Sequence, residues 1–215
     1  MKTKLLIFTF LFLFFSTRNF AQDLSLKGNQ GGLFSFGLRN TVSAFDHSNL
    51  SIIGFGFGGQ FRIQFANRVN SEWFGEYTRG SIMDGRASRT DYHIGWSVMY
   101  YFTDKVAPFA KPYILAGHCF DQTLLVDNSN RNNRIVKHSS AIQAGAGIHL
   151  NLTDRLDLTF IAQYMFHLGK DVHADLENNV VHFERVKTAG IEGHALFTIG
   201  LNYKIVDLWG NSKKK

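Results

Sequence analysis

From Leu33 to Ile205 the chain alternates apolar with small or polar residues, stretch after stretch. Phe55-Gly56-Phe57-Gly58 and Ala195-Leu196-Phe197-Thr198-Ile199-Gly200-Leu201 are typical. A period of two sends successive side chains to opposite faces of a strand, so the pattern predicts sheet with two chemically distinct faces. Eight strands are expected, at about 33–41, 52–65, 71–80, 92–102, 111–120, 140–152, 156–168 and 193–205. The connections after the second, fourth and sixth are short (66–70, 103–110 and 153–155). The others are longer, and 169–192 is the longest. Short turns on one side and long loops on the other suit a membrane barrel.

The faces say which solvent each one meets. One parity carries Phe55, Phe57, Phe61, Ile63 and Phe65, then Ile94, Trp96, Val98, Tyr100 and Phe102, and later Phe197, Ile199, Leu201 and Tyr203. The other carries glycines with Gln60, Arg62, Gln64, His93, Ser97, Thr198 and Asn202. A soluble barrel with an apolar cavity would stud its water-facing parity with Lys and Glu. Here that parity is glycine, glutamine, serine and histidine with few charges, which suits a narrow, crowded lumen. Reversing the sidedness would place Arg62 in hydrocarbon at about 2–4 kcal/mol. The expectation is therefore an all-β, eight-stranded antiparallel up-and-down transmembrane β-barrel. Trp73, Tyr92, Tyr100, Tyr113, Tyr164 and Tyr203 are expected to form its interfacial girdles.

Two hairpins supply registers. Centring the sixth and seventh strands on Asp154 sets Ile148 against Phe160, Ala144 against Tyr164 and Ile142 against Phe166. Centring the second and third on Val69 sets Phe65 against Trp73, Phe61 against Tyr77 and Arg62 against Glu76.

The N-terminus reads as an export leader. Lys2 and Lys4 precede an apolar run, Leu5 to Phe15, broken only by Thr9, and Ala21 is the expected residue before cleavage. That run is shorter than the ~20 residues a spanning helix needs. The expected organisation is 1–22 signal peptide, 23–205 outer-membrane β-barrel and 206–215 C-terminal tail. A lone cysteine, Cys119, excludes an internal disulfide and reads as a small apolar filler. The net charge of +6 includes Lys213 to Lys215 and the leader lysines. It is too diffuse to imply a nucleic-acid partner.

Two motifs carry a family resemblance. Thr198-Ile199-Gly200-Leu201-Asn202-Tyr203-Lys204-Ile205 resembles the C-terminal assembly signal of outer-membrane proteins, with Thr198, Gly200, Tyr203 and Ile205 at its marked positions. Ile205 stands where that signal usually has an aromatic residue, and Trp209 follows nearby. Lys111-Pro112-Tyr113-Ile114-Leu115-Ala116-Gly117 is similar to the strand-opening motif of the small outer-membrane beta-barrel domain family, which includes OmpA-barrel-like, OmpW-like and PorT-like members. The likeness spans about 28–205. It implies a Gram-negative outer membrane, with both termini in the periplasm. The implied partners are outer-membrane lipid and lipopolysaccharide, the outer-membrane assembly machinery, and a protein partner met through the loops. It implies no cofactor.

Candidate chemistry is sparse. Arg62 and Glu76 are expected to form a lumenal ion pair, with Arg39 and Lys204 joining it, because an enclosed charge must be paired. Such a pair would act either as a permanent plug or as the gate of a small pore. Some small barrels of similar kind are lipid A acyltransferases and deacylases, so His167 with Asp171, or His138 with Ser139 and Ser140, are the candidates for an enzyme. No nucleophile–base spacing supports them, and no catalytic site is expected. Metal binding by His173 and His182 likewise lacks ligand spacing, and no metal is expected. The outer loops hold basic residues (Arg79, Arg86, Arg89, Arg131, Arg134, Lys137, Lys170, Arg185 and Lys187) interleaved with acids. The segment 127–134 reads as a polar, mobile loop. Binding through such loops is the expected role, with a secretion accessory of the PorT-like kind or a lipid A-modifying enzyme as alternatives.

Overall fold

The computed structural model describes residues 30–47, 50–178 and 180–209. The side chains of 45–47, 50–52, 170–171 and 186–192 fall outside that description, as do the leader at 1–22 and the tail beyond 209. The strands are β1 (Leu33–His47), β2 (Leu50–Gln64), β3 (Val69–Ile82), β4 (Ala87–Tyr101), β5 (Ala110–Asp127), β6 (Arg134–Asn151), β7 (Leu156–Glu177) and β8 (Val180–Asp207). Each pairs with its sequence neighbour, and β1 pairs with β8 to close the barrel.

Following partners round the ring from Phe34 through Ile63, Ser71, Val98, Ala116, Ala144, Tyr164 and Ala195 returns to β1 at Ala44, ten residues further along. This stagger tilts the strands, and with eight of them leaves an interior that side chains can fill.

The two faces follow the alternation. Ile94 is 69% exposed, Phe55 67% and Phe197 54%, while Gln60, Arg62, His93, Ser97 and Asn202 are buried. An apolar belt of this extent is an association surface in water. In hydrocarbon it meets its proper solvent, and within the ring the closed ladder leaves no strand edge unpaired. Crowding inside explains the inward glycines: a side chain at Gly58 would run into Gly75 O and the Cβ of Glu76.

The interior is less uniformly polar than the alternation suggests. Leu115, Cys119, Ala141, Ile161 and Met165 also face inward, in two buried apolar clusters. Tyr113 belongs to one of them and corrects the expected girdle. It is fully buried, edge-on to Tyr101 with ring centroids 5.6 Å apart and 4.5 Å from His149. Parity decides this, because Tyr113 shares its face with buried Lys111 while Pro112 and Ile114 point outward. Trp73, Tyr92, Tyr100, Tyr164 and Tyr203 all lie on the outer face.

The β6–β7 register is the one centred on Asp154, with Ile148 opposite Phe160 and Ile142 opposite Phe166. The β2–β3 register is not the one centred on Val69. Its turn sits at Ala66–Arg68, so Phe61 faces Trp73, Phe57 faces Tyr77, and Arg62 faces Glu72. Phe61 and Trp73 stack at 6.1 Å with their planes 3° apart.

Strand lengths differ too. At the end opposite the short turns, the expected long loops are continuations of the strands. Residues 169–192 belong to the β7–β8 hairpin, which continues to Glu177↔Val180.

Candidate functional site

The lumen holds a layered network of charges. At the end carrying the short turns, Arg62 Nη2 donates to Asp157 Oδ1 and Oδ2 at 2.5 and 2.7 Å, and its Nη1 donates to His149 Nε2 at 2.6 Å. One layer deeper, the fully buried Arg39 sits 2.8 Å from Glu76 Oε2 through Nε and 3.2 Å from Glu72 Oε1 through Nη1. Its guanidinium also lies 4.3 Å over the Phe74 ring. Thr41 Oγ1 donates to Glu76 at 2.6 Å. Beyond it, His93 lies 3.4 Å from Glu76 and 3.5 Å from Asp121, and His167 lies 3.0 Å from Asp121 and from His194. Arg89 bonds Asp91, which accepts from Thr123 Oγ1 at 2.7 Å. Opposite charges thus alternate along much of the axis, as enclosed charges must.

The far end is closed by the β7–β8 hairpin. Past Ser140↔Leu168 and Phe45↔His194, β7 and β8 leave the ring and pair only with each other. Gly169, at φ +127°, and a bulge between Lys170 and Val172 turn the hairpin inward. Its underside, Val172 and Val181, packs on Ile82, Ala87 and Leu125 from the opposite wall, with Ala174 and Phe183 alongside. Its other face sets His173 opposite Glu184 and Asp175 opposite His182.

The polar segment 127–134 forms a hydrogen-bonded turn that fastens this cap. Asp127 Oδ1 accepts from Ser129 N at 2.8 Å and Ser129 Oγ at 2.6 Å. Asn128 Nδ2 reaches Gly85 O on the β3–β4 turn, and Asn133 Nδ2 reaches Val181 O on the cap, both at 2.7 Å. Arg185 Nη2 adds a bond to Val136 O at 2.8 Å. Polar side chains that cannot join a ladder here hold three hairpins together.

Solved structures share this architecture. Neisserial surface protein A matches over 83% of this chain and all of its own, with a TM-score of 0.58 at 17% identity. Ail, the attachment invasion locus protein of Yersinia pestis, matches over 81% and 99% with a TM-score of 0.51 at 12% identity. The outer membrane protein OprG from Pseudomonas aeruginosa matches over 83% and 98% with a TM-score of 0.51 at 16% identity. The chain folds as an outer-membrane β-barrel. Neither a protein-family model nor a curated protein sequence matches it.

Against this barrel, the expected Arg62–Glu76 pair is a correction. Both residues are lumenal, but Arg62 binds Asp157 and Glu76 binds Arg39. The turn at Ala66–Arg68 moves Glu76 opposite Gly58, out of Arg62's row. Lys204 donates to Asn151 Oδ1. Thr198 accepts from Arg39 and bonds Thr41, and Gly200 leaves space for the Gln60 amide. Tyr203 and Ile205 point outward. Trp209 lies against Gly31 and Gly32 beyond the last strand.

The histidine candidates separate. His138 is exposed, whereas Ser139 faces inward and donates to Asp121 at 3.1 Å, so period two puts them on opposite faces. His167 is lumenal, and the Asp171 side chain lies outside the described residues, as do Lys170 and Lys187. His173 and His182 oppose acids rather than each other, and no metal-binding group of three or more such residues occurs among the described residues. Sequence reasoning missed Asp157, Glu72 and Asp121. Each sits on a lumenal parity and so was available as a partner.

Proposed function

We propose that this barrel is a non-enzymatic outer-membrane protein that binds a surface ligand or partner through its capped hairpin end. In this reading the termini face the periplasm and the cap faces outward. The observation that carries it is the closure of that end: apolar packing beneath the β7–β8 hairpin and the Asp127–Asn133 turn leave the rim, not the lumen, as the working surface. Rigid strands carrying a variable rim are where binding residues concentrate.

The rim is of mixed charge, with Asp84, Asp175, Glu177 and Glu184 exposed on it, and its arginines are what an anionic ligand would use. Arg79, Arg86, Arg131, Arg134 and Arg185 are all exposed there, and guanidinium groups pair with phosphate or sulfate through two parallel bonds. Ail has been solved in complex with the heparin analogue sucrose octasulfate, which supports testing this chemistry. Titrating the purified barrel with sucrose octasulfate and with lipopolysaccharide should give saturable heat, reduced at least several-fold in an Arg131→Ala/Arg134→Ala variant. Absence of binding to both, together with co-purification of a large secretion assembly after crosslinking, would replace this reading with the accessory one.

A further inference from the structure

At the end with the short turns, the lumen contains a cavity of about 30 Å³ whose walls include Arg62, Lys111, Lys204 and Asp157. The charges there do not balance. Arg62 and Asp157 satisfy each other. Lys111 Nζ donates at 2.7 Å to Gln30 Oε1, and Lys204 Nζ at 2.7 Å to Asn151 Oδ1, so each ammonium meets a neutral amide oxygen. Both lysines are buried, at 4% and 8% exposure. Two carboxylates lie close enough to attract Lys204: Asp157, which Arg62 already binds, and the exposed turn residue Asp154. Lys111 has the Tyr101 ring 4.2 Å away and a repulsive neighbour in Lys204, so the group as a whole keeps an excess of positive charge. An ammonium has three donors, and a buried cation without a counter-charge costs several kcal/mol.

We propose that this cavity is a binding site for one compact monovalent anion of the chloride class, held between Lys111 and Lys204. Size limits the occupant. A cavity needs about 10–15 Å³ to hold one water, so this one has room for a small ion with little or no retained water. The site joins β2, β5 and β8, which supply Arg62, Lys111 and Lys204, and its edge is Gln30, just before β1. Gln30 Oε1 also accepts from Gln64 Nε2 at 3.2 Å, and Gln30 N donates to Asn67 Oδ1 at 2.8 Å. An anion here would tie together both sides of the β1–β8 closure.

The test compares thermal unfolding of the full barrel in detergent with sodium chloride, sodium acetate or sodium gluconate at one ionic strength, alongside the ³⁵Cl NMR line width. Chloride is expected to raise Tm saturably by about 5 °C over gluconate at 100-fold excess over Kd, and the ³⁵Cl line to broaden with added protein. Equal stabilisation by acetate would keep the site and assign it to small carboxylates as well. Lys111→Met/Lys204→Met should abolish both effects. Identical Tm in chloride and gluconate for the unmodified barrel, with an unbroadened ³⁵Cl line, overturns the proposal. So does a chloride effect that persists in the double variant. Should that variant not fold, the anion series on the unmodified barrel decides alone.

Discussion

Arg39 shows how a single side chain can hold a barrel interior together. It is fully buried and binds Glu72, Glu76 and Thr198 while lying over Phe74. Arg39→Met would leave two carboxylates enclosed without their cation, which should destabilise the barrel by about 3–5 kcal/mol in urea titrations from lipid vesicles. Arg39→Lys should recover only part of this, because an ammonium cannot reproduce the guanidinium fork. The corrected pairing has its own check. A double-mutant cycle on Arg62 and Asp157 should give a coupling of about 0.5–3 kcal/mol, and the same cycle on Arg62 and Glu76 much less. The reverse result would restore the Val69-centred register. At this scale the sequence was only partly legible. Period two assigns Arg62 and Glu76 to one face, but sliding each strand by two residues preserves every face and still sets aromatic against aromatic. Parity therefore cannot detect such a slip. The turn residues must, and Asn67 was the better centre.

Among the elements, the β7–β8 cap is the one the alternation could have revealed. Val172-His173-Ala174-Asp175-Leu176-Glu177 and Val181-His182-Phe183-Glu184 keep the period of two, with charges where the membrane strands place hydrocarbon. That change of composition reads as loop when only lipid-facing strands are sought. The same residues yield predictions. Val172→Asp puts a carboxylate beneath the cap and should make the hairpin readily cleaved by added protease while the belt strands stay protected. Asn133→Ala removes the bond to Val181 O and should cost about 1 kcal/mol. Acid should act through Asp127, at the hairpin tip beyond the apolar belt. Bonds from Ser129, then from Asn133, hold its carboxyl below the usual range. A lowered folded-state value means that its stabilisation is complete above the unfolded value near 3.9 and is lost as pH falls through the folded one. Protease sensitivity of the cap should therefore rise on acidification below about pH 4, and Asp127→Asn should remove that dependence.

For the whole molecule, closure by the cap together with a filled lumen predicts a barrel that does not conduct. Planar-bilayer recordings of the purified protein should show no steady current, and its gel mobility should change on heating as the closed ring opens. Stable open channels would refute the capped structure. The architecture itself was readable from the chain because sidedness is repeated in every strand: Phe55, Ile94, Phe197 and their parity partners each report the same solvent. Position along the axis has no such repetition. The places where reading failed, the β2–β3 turn and the cap, are those where a single local signal had to suffice.

The pairing of β1 with β8 also bears on biogenesis. The first strand made is a neighbour of the last, so one of its edges stays bare until residues near Asp207 arrive. Until they do, the sheet is an open one with an unsatisfied edge, and only the arrival of β8 beside β1 can shut the cylinder.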